Sequence, residues 1–234
     1  MTFCIGIKSK TGVVALADTR VSSGLGISTS RKVVAYKSGN NAFFMMSSGL
    51  RSIRDKVKNY FDDSLDDHFP DKLYKAANIL GDMVKKVRKE DMDELKASNF
   101  IFDAHFIIGG QCERDKHASI FLILPEGNWV ETSDESPYAI IGNTGFGKPI
   151  LRRLLHEEIT FDLAIKAAYL SFDATLKNAS DVDFPVDFML YKNDSFELRE
   201  FRKSEEELKA TSMAWNARLV EAANDLPQFI HFDD

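Results

Sequence analysis

Thr2-Phe-Cys-Ile-Gly-Ile-Lys8, followed by Gly12-Val-Val-Ala-Leu-Ala-Asp18-Thr-Arg20, is the stretch on which the fold turns. Phe3–Ile7 and Val13–Ala17 are short apolar runs of β-favouring residues, and Lys10-Thr11-Gly12 between them is a turn signal. The pair reads as a β-hairpin at the very start of the chain. Neither run alternates with polar residues. Asp18-Thr19-Arg20 ends the second strand, and the Ser- and Thr-rich segment 21–30 reads as a loop.

Moving outward, residues 32–36 and 42–47 form a second hairpin around Ser38-Gly39-Asn40-Asn41. Leu50, Ile53, Val57 and Tyr60 recur at helical spacing, and so do Leu73, Ala77, Leu80, Val84 and Val87. The acidic segment 62–67 reads as their connection. Strands return at 102–108, 119–124, 129–132 and 138–141. Pro149 suits the first turn of a helix carrying Ile150, Leu151, Leu154 and Leu155. Thr160 is placed to cap a helix carrying Leu163, Ala164, Ala167 and Ala168. Segments 187–191 and 195–199 form a last hairpin. Ser204-x-x-Glu207 is a capping box opening a C-terminal helix with Leu208, Trp215 and Leu219. Strands and helices come in blocks, which favours antiparallel sheets with helices outside them. The expected class is α+β, a four-layer αββα sandwich of two antiparallel sheets. With no Pro/Gly/Ser-rich linker or internal repeat, residues 1–234 read as one domain with a helical extension over about 204–234.

Composition narrows the function classes. The chain has 234 residues, 44% hydrophobic and 28% charged, so it can bury roughly 70% of its unfolded surface without a disulfide or metal. Its net charge of −6 repels phosphate backbones, so nucleic acid is not an expected partner. Cys4 and Cys112 have no partner at metal-ligand spacing, and the five histidines are scattered, so no metal is expected. Cysteine usage suits the reducing cytoplasm. No apolar stretch reaches the roughly 18 residues of a membrane span, and no signal peptide is evident. The basic run Lys85-Lys86-Val87-Arg88-Lys89 is balanced by Glu90, Asp91, Asp93 and Glu94 and reads as a solvated helix face.

The N-terminus carries a chemical possibility. If Met1 is removed, Thr2 holds a hydroxyl and a free α-amine, a nucleophile and its base in one residue. In the hairpin topology the start of the first strand can face Asp18 and Lys32. A lysine there disfavours a protonated amine, and a carboxylate keeps the lysine charged and oriented. Ser47-Ser48-Gly49 leaves a buried strand and enters a helix, where the Gly49 N–H can serve as an oxyanion donor. Taken singly, each feature has a plainer reading. Thr is common at position 2, Asp18 and Lys32 suit surface charges flanking a loop, and Ser-Ser-Gly suits an ordinary turn.

Together, the opening hairpin with Asp18-Thr19-Arg20, Arg31-Lys32 and Ser47-Ser48-Gly49 resembles the proteasome β-subunit family of N-terminal nucleophile hydrolases. The segment 28–32, Gly142-Asn-Thr-Gly-Phe-Gly-Lys-Pro-Ile-Leu-Arg152 and the C-terminal extension resemble its bacterial Anbu branch, the ancestral β-subunit proteins. The resemblance implies the Ntn-hydrolase fold and assigns roles. Thr2 is nucleophile and, through its amine, base. Asp18 orients Lys32, Lys32 lowers the amine or hydroxyl pKa, and the Gly49 N–H forms the oxyanion hole. Arg20 holds Asp18's strand against the C-terminal half. Asn143 or Thr144 falls where one supporting serine is usual. Ser180 falls near the other, although the usual Ser-Gly-Gly is Ser180-Asp181-Val182 here. Asp173 is the nearest candidate for the acidic partner.

The implied function is threonine-type peptide or amide hydrolysis in the cytoplasm. It needs no cofactor, acts on peptide or protein, and sits within a homo-oligomeric ring or helical array. No docking motif for an ATP-driven unfoldase is evident. The other expectation is a catalytically quiet assembly scaffold, because Thr2 has no free amine while Met1 remains. Gly142-x-x-x-x-Gly147-Lys148 matches the start of a phosphate-binding loop. Pro149 follows where a Mg²⁺-binding hydroxyl is needed, so nucleotide hydrolysis there is not expected.

Overall fold

The structure, a computed structural model, describes residues 2–23, 26–156, 158–228 and 230; at 22, 23, 26 and 27 only the backbone is described. Met1, on which the nucleophile reading depends, and the last four residues of the extension lie outside the described residues.

The opening hairpin is β1 (Phe3–Ser9) and β2 (Gly12–Asp18), paired in register from Cys4↔Ala17 to Ser9↔Gly12. Phe3, Ile5 and Ile7 point to one side and are fully buried under helices, while Cys4 points between the two sheets. Both faces are covered, which is why the strands carry no alternation. Burying each such apolar side chain contributes about 1.5–3 kcal/mol.

The following elements are β3 (Arg20–Ser23), β4 (Gly26–Thr29), β5 (Val33–Ser38), β6 (Asn41–Gly49), α1 (Arg51–Asp67) and α2 (Leu73–Ala97). Then come β7 (Ala104–Gln111), β8 (Ser119–Ile123), β9 (Trp129–Glu131), β10 (Tyr138–Gly142), α3 (Lys148–Leu154) and α4 (Phe161–Leu176). The chain closes with β11 (Val186–Lys192), β12 (Leu198–Lys203) and α5 (Glu205–Asn224). One five-stranded sheet has the order β10-β1-β2-β11-β12 and a second the order β5-β6-β7-β8-β9. All their pairings are antiparallel.

Three apolar clusters account for the layers. Phe43, Met45, Phe106 and Ile108 of the second sheet pack with Ile53, Val57, Phe61, Leu80 and Val84 of α1 and α2. Val14, Leu16 and Phe188 of the first sheet pack with Ala164, Ala167, Ala168 and Phe172 of α4. Between the sheets lie Cys4, Ala15, Ala17, Phe44, Met46, Ile107, Ile120 and Ile141. This is the expected αββα sandwich.

Two local expectations are corrected. The segment read as a loop over 21–30 contains the β3–β4 ribbon, which pairs Arg20↔Thr29 through Ser23↔Gly26. Its polar composition hid it, because a two-stranded ribbon outside the main sheets needs no core face. The acidic segment 62–67 is the last part of α1, where Leu65 continues the buried stripe of Ile53, Val57 and Phe61. Four aspartates there masked the helical period.

Other local signals match. Pro149 stands in the first turn of α3, and the Thr160 hydroxyl accepts from the Leu163 N–H at 3.2 Å to cap α4. Ser204 and Glu207 form the capping box of α5. Leu208 and Trp215 pack α5 against the first helical layer, whereas Leu219 is exposed.

Candidate active site

The end of β2, the start of β1 and the approach to β5 meet at one buried oxygen. Asp18 Oδ1 accepts from the Thr2 hydroxyl at 2.7 Å, the Phe3 N–H at 2.8 Å and Lys32 Nζ at 2.6 Å. Lys32 Nζ also donates to the Arg20 carbonyl at 2.6 Å. Asp18 is 0%, Thr2 3% and Lys32 4% exposed. An isolated charge in such a place is very costly, so the carboxylate and ammonium require each other. Asp18 Oδ2 has no hydrogen-bond partner among the described residues. Among the described residues, the carboxylate's hydrogen bonding therefore runs through the oxygen that touches Thr2.

The hairpin geometry explains the convergence. β1 and β2 are neighbours, so the residue before β1 faces the last residue of β2. On the other side, β1 pairs with β10 from Phe3↔Gly142 to Ile7↔Tyr138. The Asn143 N–H donates to the Thr2 carbonyl at 2.7 Å. Gly142 has φ +84°, and a Cβ there would lie 1.9 Å from the Thr2 carbonyl oxygen. Only glycine permits this approach.

The rest of the expected set divides. Gly49 ends β6 with φ +113°, and a Cβ would sit 1.9 Å from the Asp103 carbonyl oxygen. The end of β6 lies beside β1, where the Cys4 thiol donates to the Ser47 carbonyl at 3.9 Å. Arg20 Nη1 reaches Asp183 Oδ2 at 2.8 Å, joining the segment after β2 to the one before β11. The Thr19 hydroxyl reinforces this by donating to the Pro185 carbonyl at 2.7 Å.

Thr144 is half-buried, and its carbonyl accepts the Lys148 N–H at 3.2 Å, so its backbone opens α3. Ser180 is exposed in the turn after α4. Asp173 is not brought to Thr2. Its carboxylate accepts from Lys177 Nζ at 2.6 Å and from the Ser212 hydroxyl at 2.7 Å, which fastens α5 to α4.

Sequence reasoning passed over Asp181. Its carboxyl is held below the usual range; burial opposes this, and hydrogen bonding, with Asn143 among the partners, outweighs it. Asp181 thus stands near the Asn143 side chain, in the loop whose N–H holds the Thr2 carbonyl. The signal was the acidic residue standing where a glycine is usual after Ser180.

Cys4, two residues from Thr2, is fully enclosed, and burial pushes its thiol up to about 12 despite the nearby Lys32 cation. It has the character of a packing residue rather than a nucleophile. Lys148 lies in a groove with Arg152 and Thr132, away from this centre. Among the described residues no cluster of His, Cys, Asp and Glu could hold a metal ion, and no helix is long and apolar enough to cross a membrane.

The comparisons with known proteins agree with the fold. The proteasome subunit family matches residues 2–188. No curated protein matches the chain. Among solved structures, it is similar to an Anbu (Gly-1) mutant from Hyphomicrobium sp. strain MC1. That match has 29% identity and a TM-score of 0.90, covering 99% of this chain and all of the other. Anbu from Yersinia bercovieri matches at 26% identity and a TM-score of 0.88, covering 98% and 100%. The helical assembly of the Anbu complex from Pseudomonas aeruginosa matches at 25% and 0.89, covering 97% of each chain.

Proposed function

The chain belongs to the proteasome subunit family, and we propose that it is an N-terminal threonine amidohydrolase that cleaves peptide bonds once Met1 is removed. The observation that carries this reading is the convergence of Thr2, Asp18 and Lys32 on one buried oxygen. With Met1 attached, the Thr2 nitrogen is an amide and its lone pair is unavailable. Removal of Met1 turns it into an amine that titrates near 8 or below, beside the Lys32 cation.

Thr2 Oγ1 then attacks the carbonyl carbon of the scissile bond. Its proton passes to the Thr2 amine, directly or through a water, and the amine returns it to the leaving nitrogen. The Gly49 N–H stabilises the oxyanion. An ester to Thr2 forms, and water hydrolyses it with the amine again as base. Asp18 holds Lys32 in place and fixes the Thr2 rotamer. Asn143 secures the backbone behind the nucleophile, Arg20 braces Asp18's strand, and Thr144 and Ser180 border the site. No cofactor enters the chemistry.

Assembly into a homo-oligomer belongs to the same reading. A solved relative forms a helical assembly, and Met213, Leu219 and Val220 leave apolar surface on α5. The cytoplasm is the proposed setting, and residues 1–234 are proposed as one domain extended by α5.

A fusion cleaved to leave Thr2 first provides the test. It should hydrolyse fluorogenic peptides, and Thr2→Ala should abolish turnover while leaving the fold intact. No turnover by the trimmed protein across a broad peptide panel would refute the assignment. The second reading, an assembly scaffold, holds if Met1 is retained, because Thr2 then has no free amine. That reading predicts a folded, assembled and inert protein.

A further inference from the structure

Lys148 closes the segment that matches the start of a phosphate-binding loop, and it has no part in the hydrolase reading. Its place in the fold is a groove on the side of the sandwich. β9 is an edge of one sheet and β10 an edge of the other. Between them lies a cavity of about 380 Å³, bordered by Val130 and Thr132 beside Ile140, with Lys148 and Arg152 of α3. Cavities from about 300 Å³ upward take small organic ligands.

Two features of this groove cost the empty protein free energy. Lys148 and Arg152 stand four residues apart on α3, so they share a face of the helix, where like charges repel. Neither has a carboxylate partner among the described residues. Glu131 also borders the groove, but its Oε1 accepts from the Ser119 hydroxyl at 2.9 Å, and it forms an ion pair with neither cation. The second feature is Thr132. Its N–H donates to the Ile120 carbonyl at 3.0 Å, which fixes the backbone. Its hydroxyl is enclosed and has no hydrogen-bond partner among the described residues. A hydroxyl withdrawn from water and left unpaired is a net loss.

We infer that this groove binds an organic phosphate monoester. A phosphate carries about −1.5 to −2 charges at pH 7 and offers three acceptor oxygens, which suits two cations and a third donor. The planar fork of Arg152 takes two oxygens, and the ammonium of Lys148 takes the remaining one. A χ1 rotation of Thr132 adds its hydroxyl to the same group. Leu122, Val130 and Ile140 form the apolar wall that the organic part covers. The inference concerns binding and not hydrolysis, since Pro149 stands where a Mg²⁺-binding hydroxyl is needed. It is independent of the chemistry at Thr2.

The test is calorimetric titration of the full-length protein at pH 7.5 and fixed ionic strength. The probes are phenyl phosphate, benzoate and inorganic phosphate. Phenyl phosphate should bind about tenfold or more tightly than benzoate, which lacks the third oxygen and half of the charge. It should also bind more tightly than inorganic phosphate, which leaves the apolar wall bare. Lys148 and Arg152 are both exposed, so Lys148→Gln and Arg152→Gln should fold normally and each weaken phenyl phosphate by about tenfold to a hundredfold. Thr132→Val should weaken it as well, yet leave the Tm of the ligand-free protein unchanged or higher, because it removes an unpaired hydroxyl. Lys166→Gln on α4, whose cation already pairs with Asp162, should leave binding unchanged.

No saturable binding of phenyl phosphate would overturn the inference. So would benzoate or inorganic phosphate binding as tightly, or an affinity for phenyl phosphate that Lys148→Gln, Arg152→Gln and Thr132→Val leave intact.

Discussion

Replacing Lys32 by methionine removes the only cation that Asp18 contacts among the described residues while preserving most of the side-chain volume. Asp18 is 0% exposed, and the Lys32 side chain is 2% exposed. In the variant, Oδ1 keeps the Thr2 hydroxyl and the Phe3 N–H, and Oδ2 still has no partner. A buried carboxylate left without its cation costs about 3–5 kcal/mol. Whole domains are stable by only about 5–15 kcal/mol, so Lys32→Met should stand close to unfolding. Adding Asp18→Asn removes the stranded charge, and the double variant should regain most of the loss. Urea unfolding followed by circular dichroism, at one fixed protomer concentration, measures all four corners of the cycle. A single-variant loss under about 1 kcal/mol would mean that the pair behaves like an exposed one. The account of the site as a dry, mutually dependent ion pair would then be wrong.

Three further outcomes are expected. Gly142→Ala forces a Cβ into the Thr2 carbonyl at a positive φ, so it should cost about 1–3 kcal/mol and lower Tm; an unchanged Tm would contradict the close approach. Asp173→Asn weakens the contacts with Lys177 and Ser212, so hydrogen exchange should quicken along α5 and stay unchanged in β1; equal protection in α5 would refute its role as a fastening. Cys4 should resist iodoacetamide at pH 8 in the native protein and react in urea, since burial raises its pKa from 9.0 to about 12. The raised folded value also means that its contribution to stability is present below pH 9 and is lost as pH rises toward 12. Rapid native labelling would contradict the burial.

The sequence made the layers legible because the core pattern is strong. The apolar runs around Lys10-Thr11-Gly12 marked the opening hairpin, and helical spacing marked α1, α2 and α4. The β3–β4 ribbon stayed hidden because it owes nothing to apolar patterning. The C-terminal part of α1 stayed hidden because Asp62, Asp63, Asp66 and Asp67 surround its one buried leucine. At the site, Thr2, Asp18 and Lys32 were legible through topology, since a hairpin brings its first and last residues together. Asp173 and Asp181 were harder to place. Both follow or lie within α4, and Asp173 is engaged by Lys177 at the end of α4 and by Ser212 of α5. No local pattern in the sequence records that docking.

The most direct test is the intact mass of the protein purified from its own host, before and after an irreversible threonine-directed probe. The account predicts a mass one methionine residue below that of the 234-residue chain, and an adduct that is lost in Thr2→Ala. A chain that keeps Met1 throughout and takes up no probe would contradict it, and the protein would then stand as a scaffold built on a hydrolase fold.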